Sequence, residues 1–206
     1  DEDHINGIRE LLENQDLGVR IRNLVLPSEE YLDEKLLELA ETARENGTRT
    51  AVMRAGDKIT EKDGQTELKC LGPVEGTKLA PGNEASLVLE LTYGEFCMLL
   101  AGDVEGQGEE SLYKEGELPQ CDVLKAAHHG SRNSTATEFL DAVQPAVTLI
   151  SAGVDNRYGH PHEETLDRLK KSGCSVYSTQ ENGTLTVWTD GKTMRLKRFI
   201  EHPEEF

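Results

Sequence analysis

The second half of this chain is built from short apolar runs, each followed by a polar stretch with helical spacing, and that alternation limits its fold more than any other feature. CMLLAG (97–102), CDVLKAA (121–127), AVTLIS (146–151) and SVYS (175–178) read as strands. EGQGEESLYKEG (105–116), STATEFLDAV (134–143) and PHEETLDRLKKSG (161–173) between them read as helices. Alternation of this kind builds strand–helix–strand units, and a strand covered on both faces shows a continuous apolar run rather than strict alternation. CMLLAG and AVTLIS have that character.

The first half fits the same class. INGIRELLEN (5–14) places Ile5, Ile8, Leu11 and Leu12 at helical spacing, VRIRNLVLP (19–27) alternates as a strand ended by Pro27, and a long helix is predicted from Ser28 to a Gly47 C-cap. TRTAVMRAGDKI (48–59) and TELKCLGPV (66–74) read as short strands, and LAPGNEA (79–85) as a loop. SLVLELTYGEFCMLLAGD (86–103) reads as a hairpin turning near Tyr93 and Gly94, and Asp190-Gly191 marks a second hairpin at about 182–200. The expectation is one mixed α/β domain over residues 1–206, with helices covering the sheets.

Chemistry-bearing residues gather at the ends of these strands. Five of the 6 histidines form three groups: His4 in DEDHING, His128 and His129 in LKAAHHGS, and His160 and His162 in YGHPH. Imidazole is the commonest metal-binding and acid/base side chain near neutral pH. Asp1, Asp3 and His4 are expected at a strand-to-helix junction just before the first helix, where they can hold a divalent ion; an N-cap Asp3 with a surface His4 accounts for them equally. Asp103 ends CMLLAGD, at the edge where α/β folds concentrate ligand-binding residues, although it also fits a cap for the next helix. Two adjacent imidazoles after an apolar strand call for metal or hydrogen-bond partners, and Gly130 permits a tight turn. Pro161, between His160 and His162, suits the first position of the following helix.

Composition excludes some functions and leaves others. A formal charge of -17 speaks against a broadly basic surface that binds nucleic acid by counterion release. It is compatible with a nuclease whose carboxylates reverse their local sign on binding divalent cations. No apolar run approaches the ~18 residues that span a bilayer, and the acidic start DEDHINGIRE does not resemble a signal peptide. Cys70, Cys97, Cys121 and Cys174 lack zinc-knuckle spacing; Cys97 and Cys121 are expected as buried small hydrophobes rather than a disulfide.

Taken together, DEDHING, LLAGD, DVLKAAHHGS, PAVTLISAG and NRYGHPHEETLDRLKKSGCSVYSTQENGTLTV resemble the metallo-β-lactamase-like domain of ComEC, the competence protein of bacterial DNA uptake, and its freestanding relatives, over residues 1 to about 188. The resemblance implies an αββα sandwich with a metal site along one edge, here N-terminally truncated. Asp1, Asp3 and His4 match the end of the family signature H-x-[HD]-x-D-H, Asp103 the bridging aspartate, and His160 the late histidine that ends a strand. His128 and His129 match the HHG pair, one contacting metal and the other substrate or leaving group, with the order left open. Lys125, Ser131, Asn156, Tyr158 and His162 fall in the same edge segments and would line a substrate pocket.

Two departures qualify this expectation. The sequence begins at Asp1, without the leading histidine of the signature or the earlier strands. PGNEASLVLE offers Asn83, Glu84 and Ser86 where many relatives carry a middle histidine, so one or two Zn²⁺ or Mn²⁺ ions are expected. The implied function is metal-dependent phosphodiester hydrolysis, with water activated toward a pKa of ~7 and His129 or His162 protonating the leaving alkoxide. The implied substrate is DNA during uptake; the implied parent is anchored in the bacterial cell membrane with this domain on the outer face. The alternatives are a freestanding hydrolase of small phosphodiesters or esters, secreted or cytoplasmic, and a non-catalytic module that keeps the fold.

Overall fold

Strand register decides which segments lie side by side. The structure, a computed structural model, describes residues 2–14, 18–62 and 64–200. Helix α1 (Glu2–Glu13) leads into β1 (Asn23–Leu26), α2 (Glu34–Glu45) and β2 (Arg49–Val52). β1 and β2 pair in parallel as a small separate sheet, with Asn23 opposite Arg49. Strands β3 (Lys58–Thr60), β4 (Thr66–Gly72), β5 (Val88–Tyr93) and β6 (Phe96–Leu100) follow. The remainder runs α3 (Gly106–Lys114), β7 (Val123–Lys125), α4 (Thr137–Val143), β8 (Val147–Ile150), α5 (Glu163–Ser172), β9 (Ser175–Ser178), α6 (Thr179–Asn182), β10 (Leu185–Thr189) and β11 (Met194–Arg198).

One 7-stranded sheet carries the fold, in the order β3-β4-β5-β6-β7-β8-β9. β3 to β6 are antiparallel neighbours, and β6 to β9 are parallel, each joined to the next through a helix. That is the strand–helix–strand half anticipated from the alternation. The chain is therefore α/β with a mixed sheet. Its main core is Leu99 and Leu124 from the sheet with Leu112, Phe139, Leu140, Val143 and Leu169 from the crossover helices. A second cluster joins Ile5 and Leu12 of α1 to Leu24, Leu26 and Leu39.

Several sequence expectations change. Helix α1 already includes Glu2, so Asp3 and His4 occupy its first turn rather than a junction before it, while Asp1 lies outside the described residues. The helix expected from Ser28 is split: Glu29–Tyr31 forms a single 3-10 turn, Leu32 is extended, and α2 starts afresh. Asp33 causes the restart, since its carboxylate accepts the Leu36 N–H at 2.9 Å and caps the helix. Pro161 stands two residues too early to open α5, which starts at Glu163 with His162 as its N-cap. Cys97 and Cys121 are disulfide-bonded, not separate small hydrophobes. β6 and β7 are parallel neighbours, which brings their Cα atoms to 4.7 Å, within reach of a bridge.

The C-terminal hairpin turns at Asp190 and Gly191 as expected, and its tip docks on the β5–β6 turn through the Glu95 N–H and the Gly191 carbonyl, 2.6 Å apart. Gly94 makes that approach possible. It sits at φ 59°, and a Cβ there would stand 2.7 Å from the Gly191 oxygen.

Candidate metal centre

The C-terminal ends of β6 and β7 and the first turn of α1 meet at one point. After β6 the chain turns at Gly102 (φ 55°) and buries Asp103, whose N–H donates to Ser86 Oγ at 3.3 Å. After β7, His128 and His129 adopt left-handed backbone angles (φ 44° and 53°), which are uncommon outside glycine. The His128 N–H is tied to the Gly102 carbonyl at 3.1 Å. This turn directs the two imidazoles apart, with centroids separated by 6.2 Å.

Asp3, His4, Asp103 and His129 form one group, each offering a ligand atom within 4.8 Å of the others. His4 Nε2 lies 3.1 Å from Asp103 Oδ2, and His129 Nε2 lies 3.1 Å from Asp3 Oδ2 and 3.6 Å from Asp103 Oδ2. The tautomer of His129 follows from its other side. Its Nδ1 is 2.7 Å from the Ser151 carbonyl, which can only accept, so Nδ1 is protonated, and Nε2, which faces the Asp3 and Asp103 carboxylates, is the nitrogen whose proton a metal would displace.

Burial would raise the Asp103 carboxyl, but hydrogen bonds and positive charge from His129 and His4 outweigh it and hold the group well below the usual carboxylate range. The hydrogen bond to Asp103 in turn raises the His129 imidazole against the opposing effect of its own burial. Asp103 Oδ1 is buried with no hydrogen-bond partner among the described residues. A buried carboxylate oxygen without a donor is costly unless a cation meets it. Two imidazole nitrogens and two carboxylates that converge here, with both imidazoles on Oδ2 of the same Asp103 carboxylate, fit a divalent ion such as Zn²⁺ or Mn²⁺.

His128 and His160 stand outside this group, beside it. His128 Nδ1 donates to Glu105 Oε2 at 2.9 Å, and Glu105 also accepts from Asn83 Nδ2 at 3.0 Å. The His160 ring packs against His128 edge to face at 5.2 Å and lies nearly parallel to His129 at 6.1 Å. Burial, followed by the neighbouring His128 and His162, lowers the His160 imidazole. A cleft of ≈ 580 Å³ opens over these rings, walled by Asp3, Asp103, His128, His129 and His160 and rimmed by Lys35, Arg157 and exposed Tyr158.

The other sequence-predicted pocket residues take different places. Asn156 grips its own loop, accepting the His160 N–H at 3.0 Å and donating to the His160 carbonyl at 2.7 Å. Ser131 is buried, and its carbonyl accepts from Thr165 Oγ1 at 2.7 Å. His162 Nδ1 accepts the Arg132 N–H at 3.1 Å. Lys125 donates to the Ala126 carbonyl at 2.8 Å and lines a separate cavity with Leu149, Ser151 and Leu185. Burial depresses its amine, opposed by the Asp103 charge.

Sequence reasoning missed Glu105, Lys35, Arg157 and the Ser151 carbonyl. Glu105 had a faint signal, as a carboxylate just past Asp103 at a helix start. Lys35 had none, because α2 reaches the cleft only through tertiary packing.

No family model matches this chain. It is 37% identical over 188 residues to ComE operon protein 3 of Bacillus subtilis (strain 168), a match that covers 90% of this chain and 23% of that protein. It is 38% identical over 104 residues to Competence protein ComA of Neisseria gonorrhoeae, covering 50% of this chain and 15% of that protein. Recombination protein 2 of Haemophilus influenzae is 34% identical over 105 residues, covering 51% of this chain and 13% of the relative. The chain thus spans less than a quarter of the length of each of these relatives.

Proposed function

We propose that this chain is the metallo-β-lactamase-like domain of a ComEC-type protein, an αββα sandwich that hydrolyses phosphodiester bonds of DNA during bacterial DNA uptake. The observation that carries the reading is the buried, partnerless Oδ1 of Asp103 within a four-residue group of oxygen and nitrogen donors. The similarity to proteins named for competence and recombination supports DNA as the substrate class.

Asp3, His4, Asp103 and His129 would hold the ion, with the Ser151 carbonyl fixing the His129 tautomer. A divalent ion bound there supplies Lewis-acid charge to a phosphoryl oxygen and lowers the pKa of bound water toward ~7. His128 faces the same cleft while Glu105 holds its Nδ1, so His128 Nε2 is the atom placed to pass a proton to the departing alkoxide. Lys35 and Arg157 at the rim offset phosphate charge in an otherwise acidic chain. Among the described residues no helix is long and apolar enough to cross a membrane.

The test is metal-dependent cleavage. Purified protein with Mn²⁺ or Zn²⁺ should degrade linear DNA, and Asp103→Ala should abolish both cleavage and stoichiometric metal uptake. Equal cleavage by the two proteins refutes the proposal. A hydrolase of small phosphodiesters is the second reading, favoured by a cleft rim with few cations and Tyr158 as its aromatic residue. Faster turnover of a bis-phosphodiester chromogen than of DNA would select it.

A further inference from the structure

We propose that Glu109 and Arg168 are positioning residues for the metal centre, together holding the 127–136 loop in the conformation that aims His129 Nε2 at Asp103 and His4. The inference rests on the metal reading above. It begins from backbone strain: this loop carries three non-glycine residues in the left-handed region, His128, His129 and the fully buried Thr135 (φ 57°). A β-branched residue is disfavoured there and persists only where its surroundings over-determine it.

Glu109 of α3 supplies one half of that determination. Its carboxylate is 2% exposed and accepts the Thr135 N–H at 2.6 Å and the Ala136 N–H at 2.5 Å, one on each oxygen. Arg168 of α5 supplies the other, donating to the carbonyls of Arg132 at 3.0 Å, Ser134 at 2.8 Å and Thr135 at 3.0 Å. The loop transmits this grip to the histidines. Buried Ser134 Oγ donates to the Ala127 carbonyl at 3.0 Å, immediately before His128, and lies 3.1 Å from the Ser131 carbonyl. Neither Glu109 nor Arg168 lines the cleft, so any effect on metal passes through the loop.

At pH 8, Glu109→Gln removes the charge and leaves one acceptor where two donors point. Two readouts test the proposal, the ¹⁵N-coupled imidazole spectrum of His129 in EDTA and a Co²⁺ titration. Glu109→Gln is expected to lose the protected Nδ1–H signal that reports the Ser151 contact and to bind Co²⁺ about 10–100-fold more weakly. Arg168→Lys should move both readouts the same way, and it decides the question if Glu109→Gln does not fold. Adding Thr135→Gly, which relieves the left-handed strain, should restore part of the affinity to the Glu109→Gln protein. Folded variants that melt earlier yet keep the His129 signal and Co²⁺ affinity would overturn the inference. A wild-type chain that takes up no Co²⁺ refutes the metal reading instead, and the His129 signal then still decides whether the clamp positions that ring.

Discussion

Replacing Glu109 with Gln should change how stability depends on pH, in a direction set by burial. Burial pushes the Glu109 carboxyl up to about 7 from its ordinary 4.5, against the opposing Ala136 and Thr135 N–H groups and the Arg168 charge, while Glu105 adds to the rise. Between these two values the folded protein binds a proton that the unfolded chain has released. Stability therefore falls as pH rises from 4.5 to about 7 and levels off above that. At ~1.36 kcal/mol per unit, the full excursion is about 3 kcal/mol. Glutamine does not titrate, so its lost acceptor contributes a constant offset without this slope. Urea unfolding of both proteins in EDTA, from pH 4.5 to 8, isolates the effect because every other titrating group is common to the pair. The wild-type stability minus that of Glu109→Gln should decline by a few kcal/mol across the window and be flat above it. A difference that is constant, or that rises with pH, refutes the burial argument.

Two further outcomes follow from the geometry. His128→Gln should leave metal stoichiometry intact while lowering kcat by about 10²–10⁴-fold, and Glu105→Gln, which frees the His128 ring, should fall part of the way; loss of metal from either protein would contradict the roles given to them. Phe139→Ala, at a fully buried position where α4 meets the sheet, should cost about 3–5 kcal/mol in denaturant melts. A loss below 1 kcal/mol would mean that the α4 contact contributes little to the core.

Much of the fold was legible because hydrophobic burial writes itself into local pattern. The runs around Leu99, Leu124 and Leu149 became β6, β7 and β8, and Asp190-Gly191 became a hairpin turn. One error was a local feature decided by a single competing hydrogen bond. Asp33 restarts α2 because its side chain caps Leu36, and nothing in SEEYLDEK favours Asp33 over Ser28 as the cap until Leu32 is seen to be extended. The disulfide was invisible for another reason. Cys97 and Cys121 are 24 residues apart, and only the parallel pairing of β6 with β7 makes them neighbours.

The site divides along the same line. By itself the sequence determined which atoms are available: Asp3 and His4 ahead of a helical apolar pattern, and Asp103 and the histidine pair each after an apolar run whose end must reach the edge of a sheet. Tertiary structure decided what those atoms do. Adjacent residues at left-handed angles send His128 and His129 in different directions, one to Glu105 and the other to the Ser151 carbonyl and the Asp103 group. Sequence cannot separate two neighbouring imidazoles, because their chemistry is identical; backbone conformation and the partners brought by distant strands distinguish them. Lys35, Arg157, Glu109 and Arg168 join the site or its support for the same reason, through packing between segments that local pattern leaves unrelated.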